Sequence, residues 1–581
     1  MNPNIGIDLG TTRSVIATLD ATDSPTVLTN AEGDATTPSA VYFDPASGID
    51  ATPIVGAEAI RALSHEPDRV VRFAKRYLGR PDHRYPCGGR TYSPTQIQSF
   101  ILQKLRNDAA AAVGAPIESA VVTVPAFFND PRRRATIESA GMAGIEVSSL
   151  LSEPTAAALA HCHREGSLRT DRAGGGFADI DKHVMVYDLG GGTFDVSMVH
   201  ITPGDVRVVA VDGNSHLGGL DWDRAIAQWL LGRTRLSEAD IKTLRDDPEL
   251  LAEAEQIKHS LTVRTTVPVK VAVGDEIVRG EISRDEFETA TAHLLDRTRF
   301  TAANLIKTAG LKPNDLDRIL LVGGSTRMPA VHEMLSDRLG IEIDRGLPPD
   351  TAVAMGAALY AGLDLKSKVR STGPASNATA DKTPNDRDDR STVRVTDVCA
   401  HDLGVLGMER ETRRPLREVM IPRNQALPAM VTKRFSTARP GQRRVRIRVV
   451  EGGDRRGDGS STIGDFFVGG LPKDAAAGTP IRVTFRYDSN GILSITAKVD
   501  QTDIESSITV QRPSSSTDET FDDLGLNDTD TDLTSASHRS SNPTGNETTG
   551  NEPAGNETAG NETTGDEADD DLDVFFDELG L

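Results

Sequence analysis

A strand-turn-strand unit built around Asp-Leu-Gly occurs twice in this chain of 581 residues and constrains its fold more than any other feature. The first copy is "IGIDLGTTRSVIATLD" and the second is "VMVYDLGGGTFDVSMV". The aspartates of the two copies, Asp8 and Asp188, lie 180 residues apart. Self-similarity at this distance predicts two similar lobes, each of which offers a glycine-rich turn to a shared cleft.

The composition of these turns suits phosphate binding. Consecutive backbone N–H groups in a Gly/Thr turn can surround phosphate oxygens, and glycine lets the backbone approach without a Cβ. Asp8 and Asp188 would repel phosphates unless Mg²⁺ lay between, held largely through waters. One such turn is equally well read as a tight turn in a sheet, whereas two matched copies favour a nucleotide cleft. A third glycine turn lies in "LLVGGSTRMP", and the chain contains no P-loop sequence.

The pattern along the chain predicts four regions. Residues 1–365 alternate β-rich runs with alanine-rich helical stretches, which is typical of an α/β domain. Residues 366–392 are rich in Ser, Asn, Asp, Thr and Pro and predict a flexible polar linker. Residues 393–512 consist of short strands with turn signals, among them Asn490-Gly491, which predicts a type I′ hairpin. Residues 513–581 are acidic and of low complexity, so we expect them to be disordered.

Charge and cysteine content exclude several classes of protein. The net charge is -22, but the region 513–581 alone carries -18, so the rest of the chain is nearly neutral and shows no basic nucleic-acid face. Three scattered cysteines argue against a disulfide framework and against a thiolate metal site. No export signal and no run of about eighteen apolar residues occurs. We therefore expect a cytoplasmic protein that is not embedded in a membrane.

These motifs resemble the seventy-kilodalton heat-shock chaperones of the DnaK type. The segments "IGIDLGTTRS", "VVTVPAFFND", "LLSEPTAAALA", "VYDLGGGTFDVS", "HLGGLDWD", "ILLVGGSTRMP" and "AMGAALYAG" occur in the family's order. The resemblance covers nearly all of 1–362 and, more loosely, 393–512. It implies a two-lobed actin/hexokinase-like ATPase domain followed by a β-sandwich peptide-binding domain, with ATP, ADP and Mg²⁺ as cofactors and K⁺ as a further candidate ion.

The resemblance also implies site residues. Lys75 of "VRFAKRYLG" aligns with the catalytic lysine, and Asp195 is the candidate to orient or deprotonate the attacking water. Asp8, Glu153 and Asp188 would order the metal and its water. The implied phosphate and nucleoside contacts are Gly10, Thr11, Thr12, Gly190, Gly191, Gly192, Thr193, Glu255, Lys258, Thr262, Gly323, Gly324, Ser325, Arg327 and Asp350.

Two further sets of residues concern the binding of a polypeptide and its coupling to the ATPase domain. Pro125 and Arg133 match the family's relay between lobes, although Arg133 alone would read as a solvated helix charge. An apolar groove for an extended peptide is expected from β-domain residues, which in the alternative interpretation simply fill the sandwich core. The groove set is Val405, Met408, Phe435, Ala438, Val445 and Ile447. Implied partners are unfolded or extended peptides, a J-domain cochaperone and a nucleotide-exchange factor, without nucleic acid or membrane.

The chain departs from the family pattern in several places. Arg13 stands where Asn or Tyr is usual, and the segment after Lys75 is short. The counterpart of the family's apolar linker is "VRVTD", which contains a charge and follows a long polar insertion, so coupling between the domains is open. The family's helical lid is missing after Arg512. The string "HCHRE" contains residue types that can bind a metal. A surface helix end is favoured instead, because the side chains of consecutive helical residues point about 100° apart.

A motif recurs in the acidic region as "FDDLGL" and as the C-terminal "FFDELGL". It is either a chance product of low complexity or a short motif that binds a partner or the chain's own groove. Three functions follow. The leading one is an ATP-hydrolysing chaperone that controls peptide capture and release. The others are a lidless nucleotide-gated protein that recruits partners through its tail, and, more weakly, a sugar kinase or actin-like filament protein.

Overall fold

The computed structural model describes residues 3–47, 52–167, 180–371, 393–409, 412, 414–500, 505–509 and 574–576. The helices of this part of the chain all belong to the α/β region. They are α1 (Ala57–Ala62), α2 (Pro94–Val113), α3 (Asp130–Met142), α4 (Glu153–Arg164), α5 (Gly219–Leu231), α6 (Glu238–Leu244), α7 (Pro248–Val263), α8 (Arg284–Thr308), α9 (Pro329–Glu333) and α10 (Ala352–Ser371). Within the described ranges, no helix is long and apolar enough to cross a membrane.

The first lobe is built on a six-stranded sheet with two smaller sheets, one of three strands and one of two, beside it. The main sheet contains β1 (Gly6–Asp8), β2 (Arg13–Leu19), β3 (Pro25–Leu28), β4 (Thr37–Pro38), β10 (Ser119–Val124) and β11 (Glu146–Ser152). The smaller sheets contain β5 (Ala40–Tyr42), β6 (Ile54–Val55), β7 (Val70–Arg72), β8 (Tyr85–Cys87) and β9 (Arg90–Tyr92).

The second lobe repeats the same plan. Its sheet contains β12 (Lys182–Leu189), β13 (Phe194–Thr202), β14 (Asp205–Asn214), β17 (Arg318–Val322), β18 (Ile343–Asp344) and β19 (Arg394–Thr396), with β15 (Thr266–Val273) and β16 (Glu276–Ser283) as a separate hairpin. In both lobes an antiparallel hairpin, β1–β2 or β12–β13, is joined by a parallel strand, β10 or β17. The predicted two-lobed α/β domain is thereby confirmed.

Two alanine-rich helices, α4 and α10, connect the lobes. Helix α10 packs against β1 and β2, whereas α4 packs against β12 and β13, and the two helices contact each other. They meet closely, because a Cβ placed on Gly356 would lie 1.8 Å from the backbone oxygen of Ala156. Small residues let the helix backbones approach, so the relative position of the lobes depends on this contact.

The β domain consists of strands around one apolar core, and they pair antiparallel except where β20 meets β28. It contains β20 (Leu403–Met408), β21 (Pro415–Ile421), β22 (Ala429–Thr437), β23 (Arg444–Glu451), β24 (Ser461–Gly469), β25 (Pro480–Tyr487), β26 (Leu493–Val499), β27 (Glu505–Thr509) and β28 (Val574–Phe576). Strands β21, β20, β23 and β24 form one side, and β22, β25, β26 and β27 form the other, with β28 between β20 and β22. Alternation of buried and exposed residues along β25 fits a sheet with one solvated face.

Three details of the sequence prediction were wrong. Helix α10 continues to Ser371, past the predicted boundary at 365, because "DLKSKVRS" has neither Gly nor Pro to end it. The hairpin at Asn490-Gly491 exists, but its loop spans Asp488 to Ile492, whose backbone N–H and C=O groups are hydrogen bonded at 3.1 Å. Among its residues only Gly491 has a positive φ, so the turn is not type I′.

The third concerns the acidic tail, where Val574–Phe576 forms a strand rather than disordered chain. The rest of the expected disorder, at 513–573 and 577–581, lies outside the described residues, as do most of the predicted linker, 372–392, and the region in which a lid would follow Arg512.

Candidate functional site

A polar cavity of about 450 Å³ lies between the two lobes, where the glycine turns face each other. The turns are in contact, since a Cβ on Gly191 would lie 2.4 Å from Cγ2 of Thr12. The predicted residues that line the cavity are Asp8, Gly10, Thr11, Thr12, Lys75, Glu153, Asp188, Gly190, Gly191, Thr193, Glu255, Lys258, Thr262, Gly323, Gly324, Ser325, Arg327 and Asp350. Gly192 and Asp195 do not line it. Asp195 is buried just behind, on β13.

At one end of the cavity three carboxylates, Asp8, Glu153 and Asp188, lie near a single lysine, with Asp195 buried behind them. Lys75 is 4% exposed, and its Nζ donates to Oε1 of Glu153 at 2.7 Å. Burial lowers the pKa of Lys75, but the negative charges of Glu153, Asp8 and Asp188 outweigh this, so the net direction is upward. The ammonium therefore stays charged at neutral pH.

Three of the carboxyl groups also have raised pKa values, which in their case favours the neutral form. Burial and the charge of Glu153 raise the pKa of Asp8 to about 7, against the opposing effect of Lys75. Burial and Glu153 likewise raise the pKa of Asp195 to about 7, although the backbone N–H of Phe127 donates to its Oδ1 at 2.9 Å. The pKa of Asp188 is also well above its ordinary value, chiefly through burial. A cluster with this excess of buried negative charge is suited to a bound cation.

The opposite end of the cavity is formed by α7 and the third glycine turn. Lys258 Nζ lies 2.6 Å from Oδ1 of Asp223 and donates to the backbone oxygen of Gly219 at 3.1 Å. Glu255 forms an ion pair with Arg72 of the first lobe, which joins the two lobes across the cleft. At the mouth, Arg327 pairs with Asp350.

Sequence reasoning assigned no role to several cavity residues. These are Thr36, Asp223, His259, Val263, Val322, Pro349 and Val353. Asp223 had the clearest signal, because it is the last residue of "HLGGLDWD" and an acid in that position can hold the lysine of α7. Arg13, which was noted as unusual, donates to Oγ1 of Thr36 at 3.0 Å at the rim of the cavity.

The β domain contacts both lobes of the α/β domain. Arg133 is 3% exposed and donates to the backbone oxygens of Phe128, at 3.0 Å, and of Asn490, at 3.2 Å. The interpretation of Arg133 as a solvated helix charge is therefore wrong. Pro125 is buried in the turn before α3, and its C=O accepts from the N–H of Phe128 at 3.1 Å.

The second lobe meets the β domain through the chain just after the linker. Strand β19, the core of the "VRVTD" segment, pairs in parallel with Asp205, Val206 and Arg207 of β14. Nearby, the side chain of Asn424 accepts from the N–H of Val211 at 3.1 Å. The charge inside the segment thus does not prevent it from docking as a strand.

The predicted groove residues divide into two groups. Val405, Phe435, Val445 and Ile447 are fully buried members of the β-domain core. Met408 and Ala438 keep partial exposure near the ends of β20 and β22. The first four residues are therefore part of the sandwich core, and a role of any of them in lining a groove stays a prediction.

The string "HCHRE" lies at the C-terminal end of α4, as expected, but only part of it is at the surface: Arg164 and Glu165 are exposed, whereas His161 and Cys162 are buried. Nδ1 of His161 lies 2.9 Å from Oδ2 of Asp344, which also pairs with Arg164. These groups are consistent with an ion-pair network that fastens α4 to the end of the second sheet.

Comparison with known proteins identifies the family of this chain. A family model described as Hsp70 protein matches residues 4–86 and 82–559. The chain belongs to the Hsp70 family. Among curated relatives, a protein named chaperone protein DnaK from Halobacterium salinarum is 36% identical over 529 residues, which is 90% of this chain and 77% of the relative. Proteins of the same name from Thermosipho africanus and Thermus thermophilus are 37% and 36% identical and are covered over 77% and 81% of their lengths. These Hsp70 relatives support a chaperone function.

The contact between the α/β and β domains of this Hsp70 protein contains a buried acid, Glu451, whose ionisation is expected to weaken the contact. Glu451, at the end of β23, faces Asn129, Asp130, Arg132 and Arg133 of the α/β domain, and burial together with Asp130 raises its pKa to about 8. A carboxyl whose pKa is raised by docking binds its proton more tightly in the docked form. Docking is therefore strongest below about pH 4.5 and weakens as pH rises towards 8, by up to about 1.4 kcal/mol per unit.

Glu451→Gln, which keeps the shape without the charge, is expected to hold the domains together at pH 9, where the wild-type chain loosens. Amide hydrogen exchange of α3 and β19 at pH 6 and pH 9 would measure this. Glu418→Gln is the matched control, since Glu418 is half-exposed and paired with Lys433 within the β domain. Equal pH dependence in wild type and Glu451→Gln would contradict the assignment.

Proposed function

We propose that this protein is an ATP-dependent chaperone that hydrolyses ATP to control the binding and release of extended polypeptides. The observation that carries the proposal is the buried cluster of Lys75 with four acids at the meeting point of the two glycine turns. A cluster with one lysine and several desolvated carboxylates suits a metal-bound triphosphate better than a purely structural ion pair.

The residues present fit Mg²⁺ and ATP. The paired turns at 10–12 and 190–193 would cradle the phosphates, and Asp8 and Asp188 would hold Mg²⁺ through its waters. Glu255, Lys258 and Thr262 of α7 would receive the nucleoside, with Gly323, Gly324, Ser325, Arg327 and Asp350 on the other side. Bound Mg²⁺ would neutralise phosphate charge. K⁺ is a further candidate ion for the same acidic cluster.

The chain's own groups supply the remaining chemistry. Lys75 would stabilise negative charge on the transferring phosphoryl group from a buried position, where such an interaction is strong. Asp195 would accept a proton from the attacking water or orient it. With a pKa of about 7, it would be in part ionised, and so able to act as a base, at neutral pH.

Coupling to the β domain would run through the turn that contains Phe127, because this residue contacts both Asp195 and the β domain. The N–H of Phe127 holds Asp195, while the C=O of Phe127 accepts from Nε2 of His401 in the β domain at 3.1 Å. Pro125 and Arg133 flank this link. We therefore propose that a change at Asp195 is passed to the β domain and alters its hold on peptides, with a J-domain cochaperone and an exchange factor as further partners.

A reducing compartment suits the three free, buried cysteines, and we propose the cytoplasm. The test of the whole proposal is the dissociation rate of a fluorescent extended peptide from the full chain, measured with ADP and with ATP. ATP is expected to accelerate release at least tenfold. Release that is identical with both nucleotides would overturn the coupled chaperone and favour a protein that recruits partners without nucleotide-driven release.

A further inference from the structure

Strand β28 comes from the far C-terminus and completes a cleft in the β domain. Phe575 is paired with Met408 of β20 on one side and with Ser436 of β22 on the other. Val574 and Phe576 pair with Thr437 and Phe435. Three consecutive tail residues are thus inserted as a strand between two strands that do not otherwise pair with each other in the described sheet.

The cleft exists because both strands leave an edge open. Strand β23 pairs with β20 only as far as Leu406, which leaves Met408 beyond the end of that ladder. Strand β22 pairs with β25 along one edge, and its other edge receives β28. Unpaired backbone N–H and C=O groups on facing strand edges are a template for an added strand.

The position coincides with the expected peptide groove. Met408 and Phe435, two of the six residues predicted for that groove, are register partners of Phe575 and Phe576. The tail therefore pairs where an extended client would have to add its backbone. Its sequence at this point, "DLDVFFDELGL", has an apolar core, as an extended apolar client segment would, and acids on both sides of that core.

The charges near the cleft also favour the C-terminal tail as its occupant. The loop that follows β22 carries Arg439 and Arg443, and β23 begins with Arg444; all three side chains are exposed to solvent. Acidic residues stand directly before Val574 and directly after Phe576 in the sequence. Opposite charges on the loop and the segment would favour this tail over an apolar peptide without acids, and salt would weaken the preference.

We propose that Val574–Phe576 is a tethered ligand of the chain's own peptide cleft, which it occupies by strand addition until a client displaces it. The inference rests on the proposed function, since it assigns an internal competitor to that function's peptide site. Residues 513–571 are polar in composition, and a flexible chain of this length would have a typical span of roughly 45 Å. A tether of this length gives an effective concentration on the order of 1 mM. A segment with an intrinsic Kd of about 0.1 mM would then weaken client binding about tenfold.

The first measurement is amide hydrogen exchange of 403–408 and 435–437 in the full chain and in a Phe575→Ser, Phe576→Ser double variant. These substitutions lie in the tail and change no residue of 403–499, so we expect the fold of the β domain to remain intact. Protection is expected to fall at least tenfold in the double variant. Phe521→Ser, in the other copy of the motif, is the matched control and should change nothing. Unchanged protection in the double variant, or a loss only in Phe521→Ser, overturns the proposal.

The second measurement is the affinity of a labelled, leucine-rich extended peptide for the same three proteins. The double variant is expected to bind it about tenfold more tightly than the wild-type chain and Phe521→Ser do. Peptide binding of equal affinity in all three overturns the competition. If none of them binds the peptide, the proposed function fails, and the exchange result alone decides whether the tail docks. Protection that falls on dilution would show the tail in a second copy's cleft and overturn the tethered form.

Discussion

Replacing Lys75 with methionine is expected to lower the rate of ATP hydrolysis by about 10² to 10³-fold, with little change in nucleotide affinity. Methionine nearly preserves the volume of the buried side chain but removes its charge. The effect on turnover is large because Lys75 is the cation that Glu153 contacts at 2.7 Å in an otherwise acidic, water-poor site. The loss falls on the transition state, in which charge moves onto the transferring group.

Single-turnover hydrolysis and nucleotide Kd would be measured side by side for the wild-type chain and Lys75→Met. Lys104→Met is the matched control, since Lys104 also pairs with acids, Glu32 and Asp108, but lies on α2 away from the cavity. Hydrolysis by Lys75→Met within threefold of the wild-type rate would contradict the assigned role. A thermal melt with and without Mg-ATP separates a catalytic defect from loss of fold.

Gly356→Ala is expected to lower the free energy of unfolding of the α/β domain by about 3 kcal/mol or more. The new Cβ would be placed 1.8 Å from the backbone oxygen of Ala156, and backbone on both sides would have to move. Forced overpacking of this kind typically costs about 1–3 kcal/mol and sometimes more. Since α4 and α10 also set the distance between the lobes, nucleotide binding is expected to weaken in the same variant.

The matched control is Gly141→Ala, in the last turn of α3, where a new Cβ would meet nothing within 4 Å. There the helix propensity of alanine should stabilise the chain by about 0.5–1 kcal/mol. Urea-induced unfolding, followed through a probe confined to the α/β domain, compares the two variants under one condition. Equal midpoints for Gly356→Ala and the wild-type chain would show that the contact between α4 and α10 adjusts freely.

The repeated Asp-Leu-Gly unit was enough to predict the two lobes, because strand and turn chemistry within each copy is local. The repeat also predicted that the two turns face a shared cleft, whereas the approach of Lys75 to Glu153 followed only from the resemblance, since residues 78 positions apart carry no local signal. Arg133 was misjudged without that resemblance, because its burial depends on Asn490, more than 350 residues away.

Local rules also failed where tertiary contacts prevailed over them. Asn490-Gly491 has the sequence of a two-residue turn, yet the side chain of Asn490 accepts hydrogen bonds from the N–H of Leu150 and from Ser149, both at 3.1 Å. This contact with the α/β domain is compatible with the longer loop. Composition could not predict the strand at Val574–Phe576 either, because its pairing partners are far away in the sequence.

The docking of β19 gives the sheet of the second lobe its outermost strand. While Arg394–Thr396 is paired there, the row of backbone N–H and C=O groups on Asp205–Arg207 is covered. If the β domain swings away and takes this strand with it, that row becomes an open edge on an otherwise well-packed sheet. Exposed edges invite pairing with other chains. The undocked protein should therefore be the form that self-associates as its concentration rises.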